Sequence, residues 1–214
     1  MKGLRYSGHV GTYLDAVSHV AVDNQLHGGV PVAEAMHAGR YRSHGIDHVR
    51  SLVCRGVLYD VLRSRKVTRL DPGTAVGVAD LAAGPEPKPG DVALIRMGWA
   101  QLWHESRSYV GDGSGVYGVD LGAAEWLAGH GVAAVGADTV AREHRPPGPG
   151  PAPPPIHRLL LHEHGINLIE VRALATLSET LASAGTAEFL FVGAPLNVVG
   201  ATGAPIRPLA VVSA

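Results

Sequence analysis

The densest gathering of side chains able to hold a metal or move a proton lies near the start of the chain, at His9-Val-Gly-Thr-Tyr-Leu-Asp-Ala-Val-Ser-His19. Alternate side chains of an extended segment share a face, so His9, Tyr13, Asp15 and His19 have one parity and can point to one side. Imidazole and carboxylate together suit a divalent cation such as zinc or manganese, and a catalytic site keeps one position open for water or substrate. His9 and Asp15 alone are too few. A second run, His157-Arg-Leu-Leu-Leu-His-Glu-His-Gly-Ile-Asn-Leu-Ile-Glu170, puts His157 at the start of a short helix and Glu170 at the end of the next strand. Two such element ends can meet at one sheet edge. The residues alone leave two readings open: ligands that converge, or a surface histidine and a strand-end charge of no special role.

The elements that must position these groups are legible as apolar, β-branched runs bounded by turn residues. Strands are expected at 55–62, 91–97, 132–136, 166–170, 188–193 and 207–213. Helices are expected over 119–130, with Asp120 as N-cap and Gly131 just past the end, over 157–164, and over 172–184. Strands alternating with helices predict an α/β or α+β domain with a mixed sheet. The run Arg145-Pro-Pro-Gly-Pro-Gly-Pro-Ala-Pro-Pro-Pro155 cannot be a helix or a central strand. It reads either as a stiff surface loop or as a flap beside a site.

Composition removes several function classes. The 214 residues suit one compact domain, 1–214, and no second boundary or internal repeat is evident. A net charge of -1 with 18 scattered Lys and Arg lacks the basic stripe of a nucleic-acid binder. No apolar run is long enough for a membrane span, and the first residues do not form a signal sequence, so a cytoplasmic protein is expected. Cys54 is the single cysteine, so a metal site must rest on His and carboxylates.

Residues 9–19 resemble the opening motif His-x-Gly-Thr-His-x-Asp-x-x-x-His of the metal-dependent cyclase/formamidase family, except that Tyr13 stands where the second His belongs. The resemblance continues through Leu26-His-Gly-Gly29, Arg55-Gly-Val-Leu-Tyr-Asp60, Gly90-Asp-Val-Ala-Leu-Ile-Arg-Met-Gly-Trp99, Val135-Gly-Ala-Asp-Thr139, His157-Arg-Leu-Leu-Leu161 and Pro195-Leu-Asn-Val-Val-Gly-Ala-Thr-Gly-Ala-Pro205. It implies an α/β fold of the swivelling β/α/β cyclase-like kind, a mixed sheet flanked by short helices. It implies metal-ligand positions at His9, Asp15, His157 and Glu170, and an acid/base position at His19. The implied activity is hydrolysis of an amide C–N bond in a small aromatic or cyclic amide or lactam, with zinc or manganese as cofactor. In such a site the metal polarises a carbonyl and lowers the pKa of bound water toward about 7.

Two departures qualify that reading. A phenol, with an ordinary pKa of about 10, is a poor ligand until deprotonated, so Tyr13 is expected to leave one metal ion rather than two, and to act as a phenolate ligand or as a hydrogen-bond donor to substrate. The competing reading is a metal-free or metal-impaired member acting as a non-hydrolytic cyclase or dehydratase, or as a binding subunit without catalysis. Second, eight residues precede His9 where the family usually has some tens, so either another subunit fills the gap or the sheet has an unusual edge, and a homo-oligomer is expected. Of the remaining polar positions, Arg96 reads as a structural ion-pair residue more readily than as a substrate clamp. Trp103 and His104 read as pocket lining or sheet cover. Asp138 and Thr139 read as support for the site or as a turn cap, and His162 and His164 as solvent-facing.

Overall fold

Strict alternation along the central strands makes a sheet with a core on each face. In Val92–Arg96, Val92 and Leu94 pack into one core while Ala93 and Ile95 pack into the other. The same switch separates Leu58 from Val57 and Tyr59, Ala134 from Val135 and Ala137, and Ile169 from Leu168. A fully buried Leu, Ile or Phe contributes about 1.5–3 kcal/mol, against about 1 kcal/mol for a good helix cap, so this two-sided burial sets the register.

The computed structural model describes residues 11–110, 115–139, 143–146, 155–170 and 173–213. Its main sheet has eight strands: β1 (Tyr13–Asp15), β2 (Leu52–Asp60), β3 (Val92–Arg96), β4 (Ala134–Ala137), β5 (Asn167–Glu170), β6 (Glu188–Gly193), β7 (Gly203–Pro205) and β8 (Leu209–Val211). Their spatial order is β7-β1-β5-β4-β3-β2-β6-β8. The four central strands β5, β4, β3 and β2 are parallel, and β1, β7, β6 and β8 add antiparallel flanks. This is the mixed sheet flanked by short helices expected above.

Two nine-residue helices, α1 (Leu121–Gly129) and α2 (Ala175–Ser183), lie on opposite faces. Ala123, Ala124 and Leu127 of α1 enter the core of Val57 and Ile95, and Leu181 of α2 enters that of Leu58 and Leu94. Asp120 caps α1 as its sequence suggests, accepting from the Ala123 N–H, and Gly131 follows the helix at φ +69°. No described helix is long and apolar enough to cross a membrane.

Several boundaries move. Val61 and Leu62, expected in a strand, open the short helix Val61–Arg65, where Asp60 accepts from the Arg63 N–H as its cap. The expected strand 207–213 shortens to β8 at the sheet edge, and the helix expected from 172 begins at Ala175. The helix expected over 157–164 is a single turn, Pro155–His157, running into a π-helix, Arg158–Glu163. Most of the proline-rich run, 147–154, lies outside the described residues.

Candidate active site

Tyr13 and Asp15 are alternate residues of β1, and Leu14 between them enters the opposite core. They share the face that carries Leu168, the face under α1 and the π-helix. In the antiparallel pair with β5, Tyr13 stands opposite Glu170. Side chains of such partners have Cβ atoms roughly 4.5–5.5 Å apart, so phenol and carboxylate stand side by side. All three are buried: Tyr13 and Glu170 are 3 % exposed and Asp15 is 1 % exposed. Gly203 of β7 makes room for Asp15, since a Cβ there would lie 3.2 Å from the Asp15 Oδ1.

The shared parity of the opening run covers only part of it. The strand ends at Asp15 and His19 sits on a 3-10 turn, Val17–His19, yet its Nδ1 lies 3.7 Å from the Asp15 Oδ1. The turn, rather than alternation, brings it there. The His19 side chain is 31 % exposed, so it meets both the buried carboxylate and solvent. Its ring centre is 6.3 Å from that of His157. His9 lies outside the described residues.

His157 ends the helical turn ahead of the π-helix and is buried. Its Nδ1 lies 2.6 Å from the Glu143 Oε1, and its backbone N–H donates to the same oxygen at 3.0 Å. Sequence reasoning missed Glu143, which stands 14 positions earlier with no local pattern to mark it. The π-helix is itself an unusual element that tends to occur at functional sites. At its far end the His162 carbonyl is 2.8 Å from the His27 Nδ1. Gly165, at φ +67°, leaves the space that His27 fills, because a Cβ there would lie 2.5 Å from its Nε2. His164 is exposed as expected, whereas His162 is half-buried because the wide turn tucks it beside His27.

The structure brings together Tyr13, Asp15, His19, His157 and Glu170. In donor type this set fits a divalent cation: two buried carboxylates on adjacent strands, and an imidazole whose Nδ1 is committed elsewhere and whose Nε2 is therefore the nitrogen to offer. Among the described residues, however, no three of His, Cys, Asp and Glu close into a set that could hold a metal by themselves.

Other polar candidates belong to the scaffold. The Arg96 Nη1 donates to both Asp60 oxygens at 2.8 and 3.1 Å, the ion pair its position suggests. Asp138 accepts from the backbone N–H groups of Met97 and Gly98 at 2.8 and 2.7 Å, capping the turn after β3. Burial pushes its pKa up to about 6 against those two donors. Trp103 is exposed and packs edge-on against Tyr109, while Trp99 is buried and donates to the Tyr109 carbonyl.

The sequence profile of a family described as "Putative cyclase" matches residues 2–144, more than half of the chain. This chain belongs to that cyclase family. A solved structure described as a novel cyclase is 31% identical, covers 94% of this chain and 68% of its own, and superposes with a TM-score of 0.82. An isatin hydrolase bound to the product analogue thioisatinate is 20% identical over 97% of this chain and 73% of its own, with a TM-score of 0.71. A structure described as a potential metal-dependent hydrolase with cyclase activity is 22% identical over 96% of this chain and 80% of its own, with a TM-score of 0.57. The last two establish shared fold. No curated protein matches the chain.

Proposed function

We propose that this cyclase-family chain is a metal-dependent hydrolase that cleaves an amide C–N bond in a small aromatic or cyclic amide or lactam. The observation that carries the reading is a solvent-reaching imidazole, His19, set 3.7 Å from the buried carboxylate of Asp15 and beside His157. Asp15, His157 and Glu170, with His9, are the residues that would hold zinc or manganese, one ion rather than two given Tyr13. Such an ion, when bound, supplies polarisation of the substrate carbonyl and a bound water with a pKa near roughly 7. His19 takes a proton from the attacking water and delivers it to the leaving nitrogen, and the Asp15 carboxylate favours its protonated form between the two transfers. Tyr13, opposite Glu170, would be the phenol that donates a hydrogen bond to the substrate. The fold shared with an isatin hydrolase and with a structure described as a potential metal-dependent hydrolase favours this chemistry.

The test is metal content of protein purified without chelators, followed by turnover of aryl formamides and isatin-like lactams with added zinc or manganese. Bound metal and metal-stimulated hydrolysis are expected; absence of both overturns the proposal. A second reading, a metal-free cyclase, dehydratase or binding subunit, is favoured by one feature, the buried phenol of Tyr13 opposite Glu170. Tyr13→His separates the two. Hydrolysis that appears only in the variant supports the second reading, and a tightening of metal affinity already present in the parent supports the first. The proposal also has the chain acting as a cytoplasmic homo-oligomer; a monomer in light scattering at micromolar concentration overturns that part.

A further inference from the structure

We infer that Glu143 is a positioning residue that fixes the tautomer and rotation of His157, so that Nε2 is the ring nitrogen turned toward the site. This deepens the metal-dependent reading above and rests on it for the purpose of the arrangement, though not for the arrangement itself.

The hydrogen-bond roles follow from the atoms. The Glu143 Oε1 lies 3.0 Å from the backbone nitrogen of His157, which can only donate, so that oxygen is committed as an acceptor. The imidazole Nδ1 sits 2.6 Å from the same oxygen and must carry the hydrogen between them. In a neutral ring the proton on Nδ1 leaves Nε2 with a free lone pair, the form a cation requires. Two bonds from one residue to one carboxylate oxygen also define the ring plane relative to the backbone. Among the described residues, both side-chain hydrogen bonds of Glu143 come from His157.

Glu143 is itself held. Val116 and Arg145 exchange both backbone hydrogen bonds at 2.9 Å, and the His144 N–H donates to the Val119 carbonyl at 3.3 Å. The His144 Nε2 lies 2.8 Å from the Gly73 carbonyl oxygen. Gly118 is the seat of this segment: a Cβ there would lie 2.3 Å from the Glu143 carbonyl carbon and 2.4 Å from the His144 nitrogen. Glu143 is 3 % and His157 6 % exposed, so the pair is buried on both sides. A buried carboxylate–imidazole pair is a poor way to gain stability, since apolar side chains of similar volume commonly do as well or better. Orientation of His157 accounts for it.

The experiment reads the ring directly. Nitrogen-15 NMR of the metal-free protein at about pH 8, above the ordinary histidine pKa of about 6.5, with the His157 signals assigned by comparison with His157→Gln, should show Nδ1 protonated and Nε2 bare. Glu143→Gln keeps an acceptor oxygen and should keep that tautomer, whereas Glu143→Ala should move the proton toward Nε2. Equilibrium dialysis with zinc and manganese ions should show affinity falling about 10–100-fold in Glu143→Ala and less in Glu143→Gln, the range for loss of a partner behind a metal-binding histidine. Protonated Nε2 in the parent, or an unchanged tautomer and affinity in a folded Glu143→Ala, overturns the inference. If Glu143→Ala does not fold, the parent spectrum decides alone. Protonated Nδ1 in a parent that binds no metal upholds the role of Glu143 and defeats the metal reading instead.

Discussion

The carboxyl ends of the four parallel strands lie along one edge of the sheet, and the two halves of that edge use similar residues to opposite ends. On the β2/β3 half, the Asp60 carboxylate accepts from Arg96, from the Arg63 N–H and from the Ser178 hydroxyl. One strand over, Asp138 is occupied by two backbone donors of the turn after β3. On the β5/β1 half, Glu170 faces a phenol, Asp15 faces a histidine reached by solvent, and His157 is anchored through its Nδ1. Burial on its own would raise the Asp60 pKa, but Ser178, the Arg63 N–H and Arg96 together hold it below the usual carboxylate value. Asp60, Asp138 and Glu170 stand at or just past the carboxyl ends of parallel strands, where open α/β sheets tend to bind ligands, and Asp15 lies one pair of residues further in, opposite Leu168. What each acid meets at the edge separates the half that ties the scaffold together from the half that carries the candidate site.

Substitutions at the two halves should separate activity from stability. The largest expected effect is in the β5/β1 half: His19→Ala lowers turnover of any amide substrate by about 10²–10⁴-fold, the usual contribution of a positioned acid/base. Because the side chain is 31 % exposed, the unfolding free energy should change by less than about 1 kcal/mol. Activity lost only in proportion to stability would place His19 with the scaffold. In the other half, Asp60→Ala strands the guanidinium of Arg96, 18 % exposed, without its carboxylate. Loss of about 2–3 kcal/mol is expected, slightly under the range for a fully buried pair. Urea unfolding measures it, and the His157 tautomer should be unchanged. Stability equal to the parent would mean that Arg96 finds a second acceptor and that the half is not closed by this pair.

The same contrast sets how much could be seen in the sequence. Strand cores announce themselves because burial on two faces demands runs such as Val92-Ala-Leu-Ile95, and Asp120 announces its helix because capping is local. The resemblance implied ligand positions at Asp15 and Glu170, but their approach depends on β1 pairing with β5, Tyr13 opposite Glu170, far apart in the chain, which no local pattern encodes. Parity placed His19 on the right side for the wrong reason, since a 3-10 turn carries it. Glu143 had no signal at all: its partner is a backbone N–H and ring nitrogen 14 residues on, and its seat is a glycine that looks like any other turn residue. The π-helix likewise hides, because Leu159, Leu160 and Leu161 are buried in succession and read as an ordinary apolar helical stretch.

The smallest expected effect lies within the scaffold half and has a definite sign. Asp138 has a folded-state pKa of about 6 against 3.8 for the free side chain, because burial disfavours its charge. Between those values the folded state binds more protons than the unfolded chain, so stability contributed by this group is greatest below about pH 4 and is lost as pH rises through about 6. Asp60 runs the other way. Its folded pKa is depressed, so its contribution is present above 3.8 and lost as pH falls through the folded value. Together the two acids favour a stability maximum near pH 4 rather than at neutrality. Asp138→Asn cannot titrate, so the difference in unfolding free energy between parent and variant isolates the group. That difference should shift in favour of the variant as pH is raised from 4 to 7, while its value below pH 4 stays level. A flat difference across the whole range, or an Asp138 carboxyl carbon that titrates at or below pH 4 by NMR, would mean that the Met97 and Gly98 donors outweigh burial. Asp138 would then be a charged cap, and the two strand-end acids of the scaffold would cease to differ.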